Sequence, residues 1–200
     1  MTPVVTGLIV TALRERKRNR VAVELDGRPW RVLPADAVVR AGLGIGRPLD
    51  RHTARELARE LRRARALAQA TRTLATSGRS RQELDRRLAR AGHGNAARAE
   101  ALATLDRAGL VDDARLAESR AELLARRGYG DAAIRADLRR RLVAPEAATD
   151  AVASLERERE RLRRVLEGQI VTPALLRRLA GRGFSRDALE EVASSFASEA

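Results

Sequence analysis

The chain has 200 residues and a formal net charge of +13 at pH 7, and it contains no cysteine. This composition excludes disulfides and thiolate metal sites, and no apolar run reaches the roughly 20 residues of a membrane-spanning helix. Aromatic residues make up only 2% of the chain, so the apolar residues are mainly Ala, Leu and Val, which favour packed helices. We expect a mainly α, cytoplasmic protein.

The N-terminal segment, residues 1–50, differs from the rest of the chain in its pattern of apolar and polar residues. Apolar and polar side chains alternate over residues 6–32, which is typical of half-buried strands. Asp26-Gly27 is a favoured dipeptide for a two-residue hairpin turn. The preceding turn, RERKRNR at 14–20, carries five positive charges. We therefore predict a small three-stranded antiparallel sheet with a basic tip.

The apolar pattern changes to a helical period further along the chain. A short helix is predicted to open at Pro34 and to end at Gly42, and a long amphipathic helix follows from about residue 51. Thr53 and Glu56 have the spacing of a capping box at the start of the long helix.

Three short segments share one pattern, in which two apolar residues lie four positions apart. Four positions after the second of them comes Gly92, Leu142 or Gly183. Their first apolar residues, Leu84, Ile134 and Leu175, lie 50 and then 41 residues apart. Each segment is predicted to start at a capping residue and to be followed by another amphipathic helix. The predicted capping residues are Ser80 with Glu83 in a capping box, Asp131, and Thr172 with Pro173 at the first helical position.

These segments predict a modular protein. A short amphipathic helix cannot bury its apolar face alone, so each one is expected to pack with two neighbouring helices. We predict an elongated tandem array of three three-helix repeats, at 51–108, 109–153 and 154–200. The mixed-charge run ERERERLRR at 156–164 predicts a solvated helix face with internal ion pairs.

The positive charge is concentrated in the first half of the chain. Residues 1–50 contain nine basic and five acidic side chains, and residues 51–108 contain fourteen and six. Residues 109–153 contain eight of each, and residues 154–200 contain nine and eight. Such a surplus attracts polyanions, so the first partner to consider is nucleic acid, or a protein coated on nucleic acid.

Residue types that carry catalysis are sparse. His52 and His93 have no metal-ligand spacing, and His93 is predicted to cover a turn. Asp112-Asp113 could hold magnesium, but the start of a helix explains both carboxylates through its free N–H groups. We therefore predict no catalytic residue, no metal and no cofactor.

Tyr129 is the only tyrosine, and it lies between two glycines after Arg126-Arg127. A ring packed on a neighbouring helix is favoured over a ring that stacks on a base. Because an aromatic platform for nucleic acid needs several rings on one face, any nucleic-acid contact is expected to use phosphates and to be independent of sequence.

The central residues resemble a known family. The stretch GLVDDARLAES at 109–119, then ARRGYG at 125–130 and an I-x-x-x-L helix at 134–138, resembles the central repeat of the RecX regulatory proteins. The flanking units at 80–92 and 175–184 are similar to the family's other repeats, in the same order. The V-x-L-D-G-x-x-W segment at 23–30 is similar to an N-terminal extension of some members.

The resemblance implies an elongated, non-enzymatic protein that regulates the RecA recombinase. It implies binding to RecA filaments on single-stranded DNA, in the filament groove, with suppression of ATP hydrolysis, strand exchange and filament growth. Some members also bind DNA directly. This chain departs from the family at Leu142, where a glycine is usual, and Pro145 is expected to stop the helix there.

Contact residues are predicted from charge and placement. A monomer is expected, with the RecA filament and single-stranded DNA as partners, the DNA being bound directly or through RecA. A general DNA- or RNA-binding module that acts by competing for the strand is the alternative, whereas an enzyme would need a polar cluster that the sequence lacks. The predicted contacts are the basic tip (Arg14, Arg16, Lys17, Arg18, Arg20), the first-repeat ridge (Arg86, Arg87, Arg90), and the central group (Arg126, Arg127, Tyr129, Arg139, Arg140, Arg141).

Overall fold

The structure is a computed structural model that describes residues 8–76 and 78–198, so residues 6 and 7 of the predicted first strand lie outside it. The described residues form two compact units. Unit 1 lies within Met1–Thr76 and Asp85–Ala108, and unit 2 lies within Ser77–Leu84 and Gly109–Ala200. The predicted mainly helical fold with a small N-terminal antiparallel sheet is confirmed. None of the described helices is long and apolar enough to cross a membrane.

The sheet of unit 1 contains four strands among the described residues, in the order β3-β2-β1-β4. The strands are β1 (Leu8–Arg16), β2 (Arg20–Leu25), β3 (Arg28–Pro34) and β4 (Pro48–Leu49). The prediction of three strands missed β4, because a two-residue strand that includes a proline shows no alternation. The buried face of the sheet packs on the long helix described below, with Val10, Val23 and Leu33 in the core.

Both hairpin turns are tight. Asp26 and Gly27 adopt positive φ values of 48° and 77°, as a two-residue turn of the predicted kind requires. Arg18 and Asn19 also have positive φ values, of 62° and 54°. The basic turn is shorter than the predicted span 14–20, because strand pairing continues to the ends of β1 and β2.

Unit 1 contains a long helix packed on the sheet. Its helices are α1 (Ala35–Arg40), α2 (Arg51–Thr76), the greater part of α3 (Arg81–Arg90), and α4 (Asn95–Arg107). The predicted capping box at Thr53 and Glu56 is wrong. Because α2 begins at Arg51, Asp50 is the cap, and its Oδ1 accepts a hydrogen bond from the Thr53 N–H at 2.7 Å. This hydrogen bond lowers the pKa of Asp50 below its usual value.

Unit 2 contains two helical cores. Its helices are α5 (Asp113–Arg126), α6 (Asp131–Arg140), α7 (Pro145–Ala153), α8 (Glu158–Leu166), α9 (Pro173–Gly181) and α10 (Arg186–Ser198). Ile134 and Leu138 are fully buried in the core of α5–α7, and Leu162 and Leu179 are buried in the core of α8–α10. The limits of the three predicted repeats stay a prediction.

Three of the predicted helix caps are confirmed. The Ser80 hydroxyl accepts from the Glu83 N–H at 3.2 Å, and Asp112 and Thr172 accept in the same way at α5 and α9. Asp131 as a cap is wrong, because Gly130 is the N-cap of α6. The carboxylate of Asp131 instead pairs with an arginine of α8.

The ends of the short middle helices meet one another within unit 2. The Ser80 hydroxyl, before α3, donates to the Arg141 carbonyl, after α6, at 2.6 Å. The Gly130 N–H, before α6, donates to the Arg182 carbonyl, after α9, at 3.0 Å. A helix start therefore faces a helix end at both places, which is favourable for their dipoles.

Leu142 takes the backbone role of a glycine. Its φ is 58°, in the left-handed region that Gly92 and Gly183 occupy after α3 and α9, at 84° and 86°. The helix α6 has ended at Arg140 before this turn, so the expectation that Pro145 stops it is wrong. Pro145 is instead the first residue of α7, where its missing N–H is not needed.

We expect Leu142→Gly to stabilise the protein by up to about 1.5 kcal/mol in urea unfolding. A non-glycine residue in the left-handed region costs about 1–2 kcal/mol, whereas the greater freedom of glycine in the unfolded chain costs only about 0.4–1 kcal/mol. Leu142→Ala is the control, since it keeps the strained φ and should not stabilise. Equal effects of the two substitutions would show that Leu142 is not strained.

Candidate nucleic-acid and partner interface

Several polar side chains of the described residues hold helix ends and turns. No group of three or more His, Cys, Asp or Glu in residues 8–76 and 78–198 is placed to hold a metal ion. Asp113 accepts from the Arg81 N–H at 2.8 Å, at the start of α3. His93 lies 2.8 Å from the Gln69 side-chain oxygen. The candidate interface is therefore made of surface cations.

Unit 1 carries nearly all of the net charge. It contains 21 basic and 10 acidic residues, whereas unit 2 contains 19 and 17. A polyanion is therefore attracted to unit 1, and unit 2 has the near-neutral balance of an ordinary protein surface.

The basic tip is arranged along two strands and a turn. Arg16 and Arg20 lie opposite each other in the register of β1 and β2. Arg14 pairs with Glu24 at 3.2 Å, and Arg20 donates to the Val32 carbonyl at 2.6 Å. Arg16, Lys17 and Arg18 are exposed and form neither an ion pair nor a side-chain hydrogen bond among the described residues.

The first-repeat ridge lies on α3 in unit 1. Arg86, Arg87 and Arg90 are all exposed, and Arg86 and Arg90 are one helical turn apart, so their side chains share a face. The ridge is therefore on the surface of unit 1, and its contact with a partner stays a prediction.

The central group is not one continuous ridge. Asp137 accepts hydrogen bonds from Arg140, Arg141 and Arg120, the last at 2.7 Å. The Arg120 guanidinium is the main cause that lowers the pKa of the Asp137 carboxyl to about 2. Arg139 is exposed and forms no ion pair among the described residues. Arg139 is therefore the member of 139–141 best placed to contact a partner.

The turn between α5 and α6 exposes an aromatic ring beside cations. The Tyr129 side chain is 36% exposed, and the Arg182 guanidinium lies over its ring, 5.9 Å from the centroid. Arg126 forms a surface pair with Glu122 at 3.5 Å, and Arg127 is exposed after the end of α5. The Tyr129 ring therefore packs against a cation and remains partly accessible, and its contact with a partner stays a prediction.

Two charged residues of α8, Glu158 and Arg161, contact this turn and hold it by hydrogen bonds. The expectation that 156–164 is a solvated helix face is therefore wrong for these two residues. Arg161 is buried, pairs with Asp131, and donates to the Tyr129 carbonyl at 3.1 Å. Glu158 accepts from the Asp131 N–H at 2.7 Å and from the Ser185 hydroxyl at 2.6 Å. Sequence reasoning missed these contacts because alternating charges look alike whether they are exposed or buried.

Comparisons with known proteins find a similar sequence in a family model and a similar fold in solved structures. Residues 112–152 match the family model described as RecX, second three-helix domain. A crystal structure of regulatory protein RecX has a TM-score of 0.74 and 18% sequence identity, covering 94% of this chain and 99% of that one. The structure of RecX from Lactobacillus salivarius has a TM-score of 0.58 and 17% identity, covering 67% of this chain and 96% of that one. No curated protein matches the chain.

The fold is that of a mainly helical protein with a small N-terminal antiparallel sheet, and its described surface carries many exposed cations. The likeness to solved structures concerns this fold. Residues 112–152 are similar in sequence to the second three-helix domain of the RecX family. The resemblance of the segment from Gly109 to Leu138 to that family is thereby confirmed.

Proposed function

We propose that this protein is a non-enzymatic regulator of the RecA recombinase. It binds RecA filaments on single-stranded DNA in the filament groove, and it inhibits ATP hydrolysis, strand exchange and filament growth. The observation that carries the proposal is the match of the central repeat to a RecX domain. The proposal places the protein in recombination and DNA repair.

The division of charge supports two kinds of contact. A unit that carries most of the positive charge suits the phosphates of the filament DNA. The exposed residues of nearly neutral unit 2, which include Arg127, Tyr129 and Arg139, suit contacts with a protein. Several weak contacts made by consecutive modules add to a useful affinity through avidity.

The alternative function is that of a general DNA- or RNA-binding module that competes with RecA for the strand. The charge of unit 1 favours it. The two functions differ in salt dependence, because binding through phosphates weakens steeply with salt, whereas a protein contact leaves a salt-resistant part.

The test is ATP hydrolysis by preformed RecA filaments on single-stranded DNA, titrated with the full chain in the presence of excess free DNA. We expect inhibition at less than one copy per RecA. The double variant Arg127→Gln, Arg139→Gln should need about tenfold more protein, because it removes two exposed cations, each worth roughly 0.5–1 kcal/mol at an interface.

The matched control is Arg115→Gln, Arg157→Gln, which removes two exposed arginines of the same unit. It should inhibit as the unchanged protein does. Inhibition that free DNA abolishes would favour competition for the strand and contradict the proposal.

A further inference from the structure

The long helix α2 presents a stripe of arginines to solvent. The successive spacings between these arginines are four, seven, three and seven residues. At 100° per residue these positions lie within an arc of about 100°, along roughly 31 Å of helix. All five are exposed, and we call them the arginine stripe: Arg51, Arg55, Arg62, Arg65 and Arg72.

The stripe has no counter-charge of its own. Along the described length of α2, the acidic residues Glu56 and Glu60 lie on the side away from the stripe. They pair with Arg59 and Arg63 at 3.5 Å and 3.3 Å. None of the five stripe arginines takes part in an ion pair or a side-chain hydrogen bond among the described residues.

Composition alone does not explain this arrangement. Solvated helix faces usually alternate the sign of their charges, because like charges three or four residues apart repel and destabilise a helix. Arg51 and Arg55 form one such pair, and Arg62 and Arg65 form another. The stripe therefore costs stability in the free protein, and a bound polyanion would remove that cost.

A groove with an apolar floor runs beside the middle of the stripe. It lies between β3 and α2, and its cationic rim is formed by Arg20, Arg31 and Arg65. Its floor is lined by Val32, Leu33, Pro34, Leu61, Ala64 and Ala68. The rim suits phosphates, and the floor suits the apolar faces of unstacked bases.

The edge of β3 disfavours an acidic peptide that would add a strand. Pro29 and Pro34 have no N–H to donate, and the Val32 carbonyl already accepts from Arg20. A duplex has its bases stacked inside and would leave the apolar floor unused. Single-stranded nucleic acid fits both the charge and the floor.

We propose that the arginine stripe and the adjacent groove form a binding track for single-stranded nucleic acid. The phosphates lie along the stripe, and the bases of about two nucleotides lie on the groove floor. The track binds without sequence preference, because its donors face the backbone. The track deepens the proposed contact of unit 1 with DNA, but it can be tested without RecA because it needs only unit 1.

The test is the fluorescence anisotropy of a labelled single-stranded DNA oligonucleotide of 20 thymidylates, titrated with the full chain at salt concentrations between 50 and 300 mM. The stripe variant is Arg55→Gln, Arg62→Gln, Arg65→Gln. Its control is Arg115→Gln, Arg157→Gln, Arg178→Gln, which removes the same charge from exposed positions of unit 2. Glutamine keeps nearly the same helix propensity as arginine, so both variants should fold.

We expect the stripe variant to bind at least tenfold more weakly at 0.1 M salt. The slope of log affinity against log salt should fall by about 2, since three phosphate contacts on a single strand are lost. The control should bind within about twofold of the unchanged protein, and the stripe variant should be at least as stable to heat at low salt.

Equal loss in the stripe variant and its control would overturn the track, because it would show a response to net charge alone. Equal or tighter binding of a 20-base-pair duplex would overturn the single-stranded assignment. The same variants in the RecA assay test the proposed function separately, and the DNA-binding result stands on anisotropy alone.

Discussion

Gly130→Ala is expected to destabilise the packing of α6 on the end of α9 by about 3–5 kcal/mol. A Cβ at Gly130 would lie less than 3.0 Å from backbone atoms of Gly183 and Phe184. Backbone atoms cannot move aside as the end of a flexible side chain can. The clash is purely steric, because Gly130 has an ordinary φ of −81°.

Relief of this clash requires two backbone hydrogen bonds to open. The Gly130 N–H donates to Arg182 at 3.0 Å, and the Ala132 N–H donates to Gly183 at 3.1 Å. Each bond contributes about 1 kcal/mol, and overpacking of a close contact costs about 1–3 kcal/mol. The expected sum exceeds the effect of most single substitutions.

Urea unfolding gives the free energy, and hydrogen exchange gives its location. Protection of the amides at the start of α6 and in α8–α10 should fall, while protection in unit 1 should stay unchanged. Gly181→Ala is the matched control, since a Cβ there meets no atom within 4 Å and should stabilise α9 by roughly 0.5–1 kcal/mol. If Gly130→Ala does not lower the free energy of unfolding relative to Gly181→Ala, the close approach of the Gly130 and Gly183 backbones is wrong.

Local patterns were sufficient to predict most of the elements. The apolar pairs that begin at Leu84, Ile134 and Leu175 lie in buried positions of short helices, as predicted. Asp26-Gly27 forms the predicted turn because its dihedral preference acts within two residues. By contrast, the strand β4 forms only because β1 offers a free edge to it, and no local pattern records that.

The close approach of Gly130 and Gly183 could not be predicted in the same way. Both glycines occur in predicted turns, where a positive φ is a sufficient reason for glycine. Only Gly183 has a positive φ, whereas Gly130 is required for its distance to another backbone. Such a contact joins residues 53 positions apart in the chain, so it depends on the packing of two repeats.

The candidate interface also has one feature that the sequence could have predicted and one that it could not. The arginine stripe follows from helical spacing and could have been found in the sequence, once α2 was known to be a single helix. The separation of Arg139 from Arg140 and Arg141 could not, because it depends on where Asp137 points.

Arg161→Met is expected to cost about 3 kcal/mol of stability. The guanidinium pairs with Asp131 and donates to the carbonyls of Tyr129 and Glu156, at 3.1 and 3.0 Å. Methionine replaces the apolar stem but no donor. It therefore leaves a half-buried carboxylate and two carbonyls without this partner, and breaking a buried pair on one side costs about 3–5 kcal/mol. Arg135, at 3.6 Å from Asp131, offsets part of the loss.

Arg163→Met in the same helix is the control for this prediction. Arg163 forms an exposed pair with Glu160 at 3.3 Å, and such pairs contribute about 0–1 kcal/mol. In the double variant Asp131→Asn, Arg161→Met, the cost should be smaller than the sum of the two single costs, because the buried carboxylate has also gone. Additive costs would mean that the two side chains stabilise the protein separately. A coupled result would make Arg161 the residue that holds the Tyr129 turn, so its loss should also weaken the proposed contact of Tyr129 and Arg127 with a partner.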